Sequence, residues 1–516
     1  MIGCLMKMNS LLSFSAAAFG ALALGACSDP FGFDSSERTI DAAQGQLEEE
    51  EEEEICPASE EWLPSTPPLE MFSPLPHPAS ECPFYRGTWQ SFLVATQPDG
   101  DGRPDFLSWP TIDTLFVSQL PRGPNRAELG DLRQAGLRQI VIDQNGRAIY
   151  YGIHVNQAFK QFVDDNGLNT LAGVRGASSR LFFPAGVVEL KSAWQDITDE
   201  PAAAYANYIT VDSTVPTLSE GANGEIIEDR DTPRARTMAL LALHVVYTLP
   251  GHPEFIWGTF EHTVGSPDIS AADGKRDVAP TFYAANPAAS DPDNLMVSES
   301  VSDDDLLLYR GGTPANRANQ GIAESQLRLE ESTQSFPGQQ TSIYRMFPAS
   351  KSHSIDPDAA LSSLNHNVGE LFAAKRGTLN SNDKRGYYRQ VGSVWMDKPD
   401  YFVLDSPLAN DLTSPLVARG GDPALQAEAQ ADLAINGGDS DFSILAGEDR
   451  LSSTAMESFT QGPGAFPNCF TCHNTQAVTA RGIPSARDSE SPELLGPKRI
   501  NVSHIFSEFV RRETQQ

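Results

Sequence analysis

The 516-residue chain carries 69 Asp and Glu against 37 Lys and Arg, a formal net charge of −32 at pH 7. Phosphate backbones are held by clustered cations, so this balance excludes nucleic acid as a partner. A hydrophobic fraction of 40% with 21% charged residues fits a globular protein long enough for two to three domains.

Residues 1–26 read as a lipoprotein signal peptide. Lys7 supplies a minimal basic start, and Leu11 to Leu24 form an apolar run too short for a comfortable membrane span. Met6-Lys7 is a more natural beginning than Met1. The run ends at Leu24-Gly25-Ala26-Cys27, which is similar to the bacterial lipobox. That pattern predicts cleavage before Cys27 and acylation of its thiol and new amino group; the alternative is an ordinary cleaved signal with Cys27 incidental. Ser28, rather than Asp, follows the lipidated position, which points to the outer membrane, with its periplasmic and surface faces both open. Of the remaining cysteines, Cys4 goes with the signal. Cys56 and Cys82 are expected to form a disulfide after export, worth on the order of 3 kcal/mol by loop closure; two free thiols are the alternative.

Residues 27–84 read as an acidic, Pro-rich tether. Glu48 to Glu54 are consecutive carboxylates that repel one another, and Pro-rich sequence follows from Pro64 to Pro83. Ordered sequence is expected from Tyr85, with a β-rich domain over 85–450 and a C-terminal segment over 451–516. Trp89, Phe92 and Leu93 recur at helical spacing and predict a helix over Arg86 to Ala95. Asp99-Gly100-Asp101-Gly102-Arg103-Pro104-Asp105 lacks the first and twelfth carboxylates of a calcium loop, where Gln97 and Ser108 stand, and reads as a turn. Asn145-Gly146 between Ile140–Asp143 and Ala148–Val155 predicts a hairpin, followed by a short helix ending at Gly167. Further strands are predicted at Val187–Trp194, Tyr208–Val211, Met238–Tyr247, Phe255–His262 and Tyr387–Trp395, with a helix over Asp358 to Ala374. Strands in sequence without long intervening helices predict an α+β fold, mainly an antiparallel sheet or sandwich with peripheral helices and a C-terminal helical segment. Residues 264–340 and 398–450 read as loop-rich.

The strongest motif is Cys469-Phe470-Thr471-Cys472-His473. Two cysteines three apart can add as thiols to the two vinyl groups of one haem, and the histidine that follows can ligate its iron. Such attachment happens after export, in agreement with the leader. The rival readings are a redox dithiol, which would be expected near a βαβ pattern, and a zinc site, which would need further ligands. Candidates for the iron's sixth position are His262, His244, His504 and Met456. Met456 falls on an expected helix over Ser452 to Gln461. His504 falls within Ile500 to Val510, where Ile500, Ile505, Phe506 and Phe509 form a helical apolar stripe. Only 43 residues follow His473, so the motif does not open its domain as it does in small class I cytochromes. The strand-rich sequence upstream does not match a four-helix cytochrome either.

Several islands resemble, in order, a family of exported bacterial single-haem c-type proteins. They are Trp89-Gln90-Ser91-Phe92, Phe183-Pro184-Ala185-Gly186, Glu189-Leu190-Lys191-Ser192-Ala193-Trp194 and Leu243-His244-Val245-Val246. Phe255 through His262, Val391-Gly392-Ser393-Val394-Trp395 and Thr454-Ala455-Met456-Glu457-Ser458-Phe459 complete the set. The resemblance implies haem c (iron) at Cys469, Cys472 and His473 and electron transfer, with no named reaction. The Trp257-to-His262 island makes His262 the leading distal candidate. Asn is expected shortly before Pro267 and is missing.

Three functions compete. The first is an electron carrier serving a redox partner protein while a lipid anchor holds it at the membrane. The second is a peroxidase-like oxidoreductase with an open iron and Glu261 and His262 as acid–base pair. The third is a non-catalytic ligand-binding or sensing lipoprotein. No catalytic constellation stands out, which favours the carrier.

Overall fold

The computed structural model describes residues 56–63, 81–118, 126–250, 252–263, 306–313, 317–343, 345, 359–379, 383–396, 445–447, 451–461, 469–473, 475, 477–479 and 492–514. The expected signal peptide, Cys27, the acidic run and nearly all of residues 398–450 lie outside the described residues. Among the described residues, no helix is long and apolar enough to cross a membrane.

The fold is α+β, built on one antiparallel sheet of seven strands. The strands are β1 (Ile149–Val155), β2 (Val188–Asp196), β3 (Thr210–Glu220), β4 (Ile226–Leu249), β5 (His252–His262), β6 (Tyr388–Met396) and β7 (Leu445–Gly447). Their order is β1-β2-β4-β5-β6-β7, with β3 also on β4. Strand β4 pairs its first half with β3 and its second half with β5, so those two share one edge end to end while β2 takes the other. From Met238 to Leu249 every residue of β4 is buried, because both faces of the sheet are covered there. A second, two-stranded sheet joins β8 (Val478–Thr479) to β9 (Glu493–Leu495). No second large sheet faces the first among the described residues, so the sandwich form of the expectation gives way to one sheet with helices and loops on both sides.

The predicted turn forms at Asn145-Gly146, where Gly146 takes a positive φ of 77°, but the expected strand Ile140–Asp143 is reduced to one isolated bridge, Ile142 to Ala148. The Asp99 loop is a turn, its carboxylate accepting from the N–H groups of Asp101 and Arg103 at 2.9 Å each. One sheet face packs under α1 (Cys82–Ala95). Phe92 stacks on Phe260 at 4.2 Å between centroids, and Trp89 meets the same ring edge-on at 4.8 Å. Thr88 Oγ1 bonds to Ser393 Oγ at 3.0 Å and Tyr247 OH at 3.1 Å. Approach at this point requires glycine: a Cβ on Gly258 would lie 2.1 Å from Thr88 Cγ2.

Order begins earlier than the tether expectation. Cys56 and Cys82 are joined in a disulfide, and Trp62 is fully buried. The amide of Asn367, on the helix Ala359–Lys375, donates to the Cys56 carbonyl at 3.0 Å. The C-terminal helix His504–Thr514 places Phe506 among Phe116, Phe159 and Phe183, inside the main core.

Candidate functional site

The pentapeptide occupies a single helical turn, Cys469–Cys472, whose end is marked by the His473 N–H donating to the Cys469 carbonyl at 2.8 Å. His473 Nδ1 lies 2.9 Å from the Val502 carbonyl oxygen. A carbonyl only accepts, so Nδ1 carries the proton and Nε2 keeps its lone pair. Val502 is presented by the single 3-10 turn Arg499–Val502 that precedes the C-terminal helix. Packing pushes the His473 imidazole well below the usual histidine range, chiefly by desolvation and secondarily through His504, so the ring stays neutral at pH 7.

Two rings flank that imidazole. His504 stacks on it at 3.8 Å between centroids with planes 20° apart, and Trp257 of β5 lies 4.1 Å away at a 43° tilt. His504 Nε2 donates to the Cys472 carbonyl at 2.9 Å, tying the C-terminal helix to the motif.

The sheet face beneath is polar in an ordered way. Register pairs Lys191 of β2 with His244 of β4, and His244 with Thr259 of β5, giving one cross-strand row. The next row on the same face is Glu189, Val246 and Trp257. His244 bonds to Thr259 Oγ1 through Nδ1 and to Glu457 Oε1 through Nε2, both at 2.9 Å. Burial pulls the Glu457 carboxyl upward, but the facing His244 ring and the Lys191 ammonium outweigh it and hold the group below the usual range. Lys191 Nζ donates to the Gln134 carbonyl at 2.6 Å. Its pKa is lowered by desolvation, against the pull of Glu457, Cys472, Glu189 and Cys469. Glu189 accepts from Ser503 Oγ at 2.6 Å, and burial raises its carboxyl to about 7.

Of the expected site residues, Cys469, Cys472, His473, His504 and His244 are brought to this region. His504 flanks His473: two imidazoles in face contact at 3.8 Å leave no room for a metal ion between their nitrogens. Met456 is buried in a second core cluster with Tyr151, Ala193 and Phe459. The expected helix around it is a string of turns. The backbone N–H of Thr454 donates to Glu261 at 2.7 Å and that of Ser453 to Glu457 at 2.8 Å.

His262 is placed away from the pentapeptide. Strand alternation turns it to the face opposite Trp257, where it stacks on Tyr208 at 3.5 Å and meets Tyr388 edge-on. It also lies five residues along β5 from Trp257, roughly 17 Å at strand rise. Glu261 is held by Arg345 and the Thr454 N–H, so the expected Glu261–His262 pair does not face the motif. Lys191, Glu457, Trp257 and Val502 went unrecognised in the sequence as site residues. Strand register unites Lys191 and Trp257 with His244, while Glu457 reaches His244 from the turns of 451–461.

Among the described residues, no group of three or more His, Cys, Asp or Glu side chains is arranged to hold a bare metal ion. The chain matches no protein-family model, no curated protein and no solved structure.

Proposed function

We propose that this is a haem c lipoprotein, anchored through Cys27 at the outer membrane, that passes single electrons to a redox partner through one centre in its C-terminal segment. The observation that carries the reading is the pentapeptide on one turn with His473 Nδ1 engaged by a backbone carbonyl. Cys469 and Cys472 would supply the two thioether links, and His473 Nε2 the proximal ligand. A haem held there supplies reversible Fe(III)/Fe(II) chemistry. The donor set fits: the Val502 carbonyl fixes the imidazole's tautomer and direction, while Trp257 and His504 limit its rotation. A metal coordinated by one imidazole and a porphyrin needs no cluster of protein ligands. The Cys56–Cys82 disulfide belongs to an oxidising compartment, which supports export.

The His244–Glu457 pair favours a second reading, a haem-dependent oxidoreductase. A hydrogen-bonded imidazole and carboxylate on the sheet side of the motif are the parts an acid–base step needs. The lead of the first reading rests on the full engagement of both His244 nitrogens.

The test is made on the purified, processed chain. Pigment is expected to stay with the polypeptide through acid–acetone extraction, adding one porphyrin to its mass, and to be absent from Cys469→Ala/Cys472→Ala. Extractable pigment, or a mass without the addition, would overturn the reading. A reduced spectrum unmoved by carbon monoxide supports the carrier, whereas a shifted one supports the oxidoreductase.

A further inference from the structure

Next to the pentapeptide lies a cavity of about 430 Å³ whose wall carries Arg126, Arg133, Arg138, Arg230, Arg511 and Arg512. Six guanidiniums around one space are unexpected in a chain of net charge −32. Three carboxylates share the wall, Asp131, Glu228 and Glu508, leaving the lining itself cationic. Most of these arginines are spoken for. Arg512 bonds to Asp131 at 2.6 Å and Glu508 at 2.8 Å, Arg133 to Glu228 at 2.7 Å, and Arg230 lies 3.4 Å from Asp131. These pairs join the first half of β4 to the C-terminal helix.

Arg138 differs. It makes no hydrogen bond or ion pair with the described residues, and its side chain keeps access to solvent. Partial desolvation and the neighbouring guanidinium of Arg511 disfavour its charge, against the weaker pull of Glu508 and Glu324. The backbone beneath it is held in the left-handed region at three consecutive positions, Gly136 at φ 92°, Leu137 at 48° and Arg138 at 55°. For two non-glycine residues in succession this is costly, on the order of 1–3 kcal/mol each, and such strain persists only where surrounding contacts enforce it. One such contact is present: Gly136 lies against Thr460, close enough that a Cβ would fall 2.7 Å from its methyl group. A strained turn therefore delivers an unpaired cation to a cationic cavity.

Two features decide what anion this suits. The remaining wall includes Ile153, Val478 and Leu494, an apolar surface that a small hydrated anion would not favour. His504 is also on the wall, and its ring stacks on His473 while its Nε2 holds the Cys472 carbonyl. The cavity is thus one side chain away from the proposed iron ligand and from a proposed attachment cysteine. Resting on the haem reading above, we infer that this cavity receives the propionate edge of the porphyrin, with Arg138 as the guanidinium reserved for a carboxylate. The flat fork of a guanidinium matches a carboxylate with two parallel hydrogen bonds, and the apolar wall matches the ring's hydrocarbon margin.

The test uses the full chain with haem attached. Arg138→Gln removes a charge without breaking any hydrogen bond or ion pair among the described residues, so folding and covalent haem content are expected to stay at the level of the unaltered protein. Its midpoint potential should fall, since loss of a cation beside the propionates favours Fe(III), and the propionate bands in the resonance Raman spectrum should shift. Arg138→Lys retains the charge and should stay close to the original potential. Unchanged potential and propionate bands in Arg138→Gln and in Arg511→Gln, with haem loaded, would overturn the assignment. So would saturable binding of citrate or phosphate to the loaded protein that is lost in Arg138→Gln, because the cavity would then be open to a soluble anion. Failure of the parent reading is distinguishable: the unaltered chain would carry no covalent pigment, and the propionate assignment would fall with it.

Discussion

The two faces of the seven-stranded sheet solve burial differently. Under α1 the row positions are apolar, with Leu243, Val245, Tyr247, Ile256 and Phe260 packed beneath Phe84, Trp89 and Phe92. On the other face, the same strands place Glu189, Lys191, His244 and Thr259 under the pentapeptide and the 451–461 segment. Area burial stabilises the first face without direction. The second is held by directed bonds, each of small net worth, whose geometry fixes where the motif lies. One face therefore supplies stability and the other supplies position.

Trp89→Ala is the sharpest way to break that division. The ring is buried, contacts Phe92 and Phe260, and donates through Nε1 to Asn365 at 3.1 Å. Truncation is expected to cost about 3–5 kcal/mol in denaturant unfolding. The absorption spectrum of the fraction that remains folded should not change. A changed spectrum would mean that the faces are coupled through the sheet.

The covalent staple comes next. Cys56→Ser/Cys82→Ser removes the closure that holds residues 56–63 against the helical face, at an expected cost of about 3 kcal/mol. Protease should then cut near Trp62 before it cuts within the 451–514 segment. Cleavage in the opposite order would show that the motif's face is the weaker of the two.

The sequence disclosed the apolar face well and the polar face poorly, for a physical reason. Met238–Tyr247 is legible because burial on both sides leaves an apolar run that only His244 interrupts, Val187–Trp194 because apolar and polar residues largely alternate along it, and Asn145-Gly146 because few dipeptides accept its turn. The first half of β4, Ile226 to Thr237, is charged and largely exposed, so nothing local marks it; its pairing with β3 makes it a strand. The same limit hid the site. Cys469, Cys472 and His473 are adjacent and carry their chemistry in their spacing. Lys191, His244 and Thr259 come together only through register across three strands, and Glu457 only through turns that replace an expected helix. The Glu261–His262 pair failed as a candidate for a related reason: neighbours on a strand face opposite ways.

The smallest effect tests whether the polar face is ionised. Glu189 is buried with its carboxyl raised to about 7 from an ordinary 4.5, desolvation outweighing the Ser503 bond and the Lys191 charge. Between those values the folded chain retains a proton that the unfolded chain releases, so this group's contribution is full below pH 4.5 and is lost as pH rises through 7. His154 acts in the opposite sense. Buried and held neutral, with its value lowered to about 3, it costs stability as pH falls below its ordinary 6.5. The two slopes overlap, so the raw pH profile of the protein is uninformative. The difference between unaltered protein and Glu189→Gln isolates the carboxyl, because the amide keeps an acceptor for Ser503 and leaves His154 untouched. At pH 8 the variant is expected to be more stable by about 2 kcal/mol, with the gap closing towards pH 4.5. A variant less stable than the original at pH 8 would mean that Lys191 holds Glu189 as an ion pair. The polar face would then be tied together by charge, in a buried pair that salt screens little.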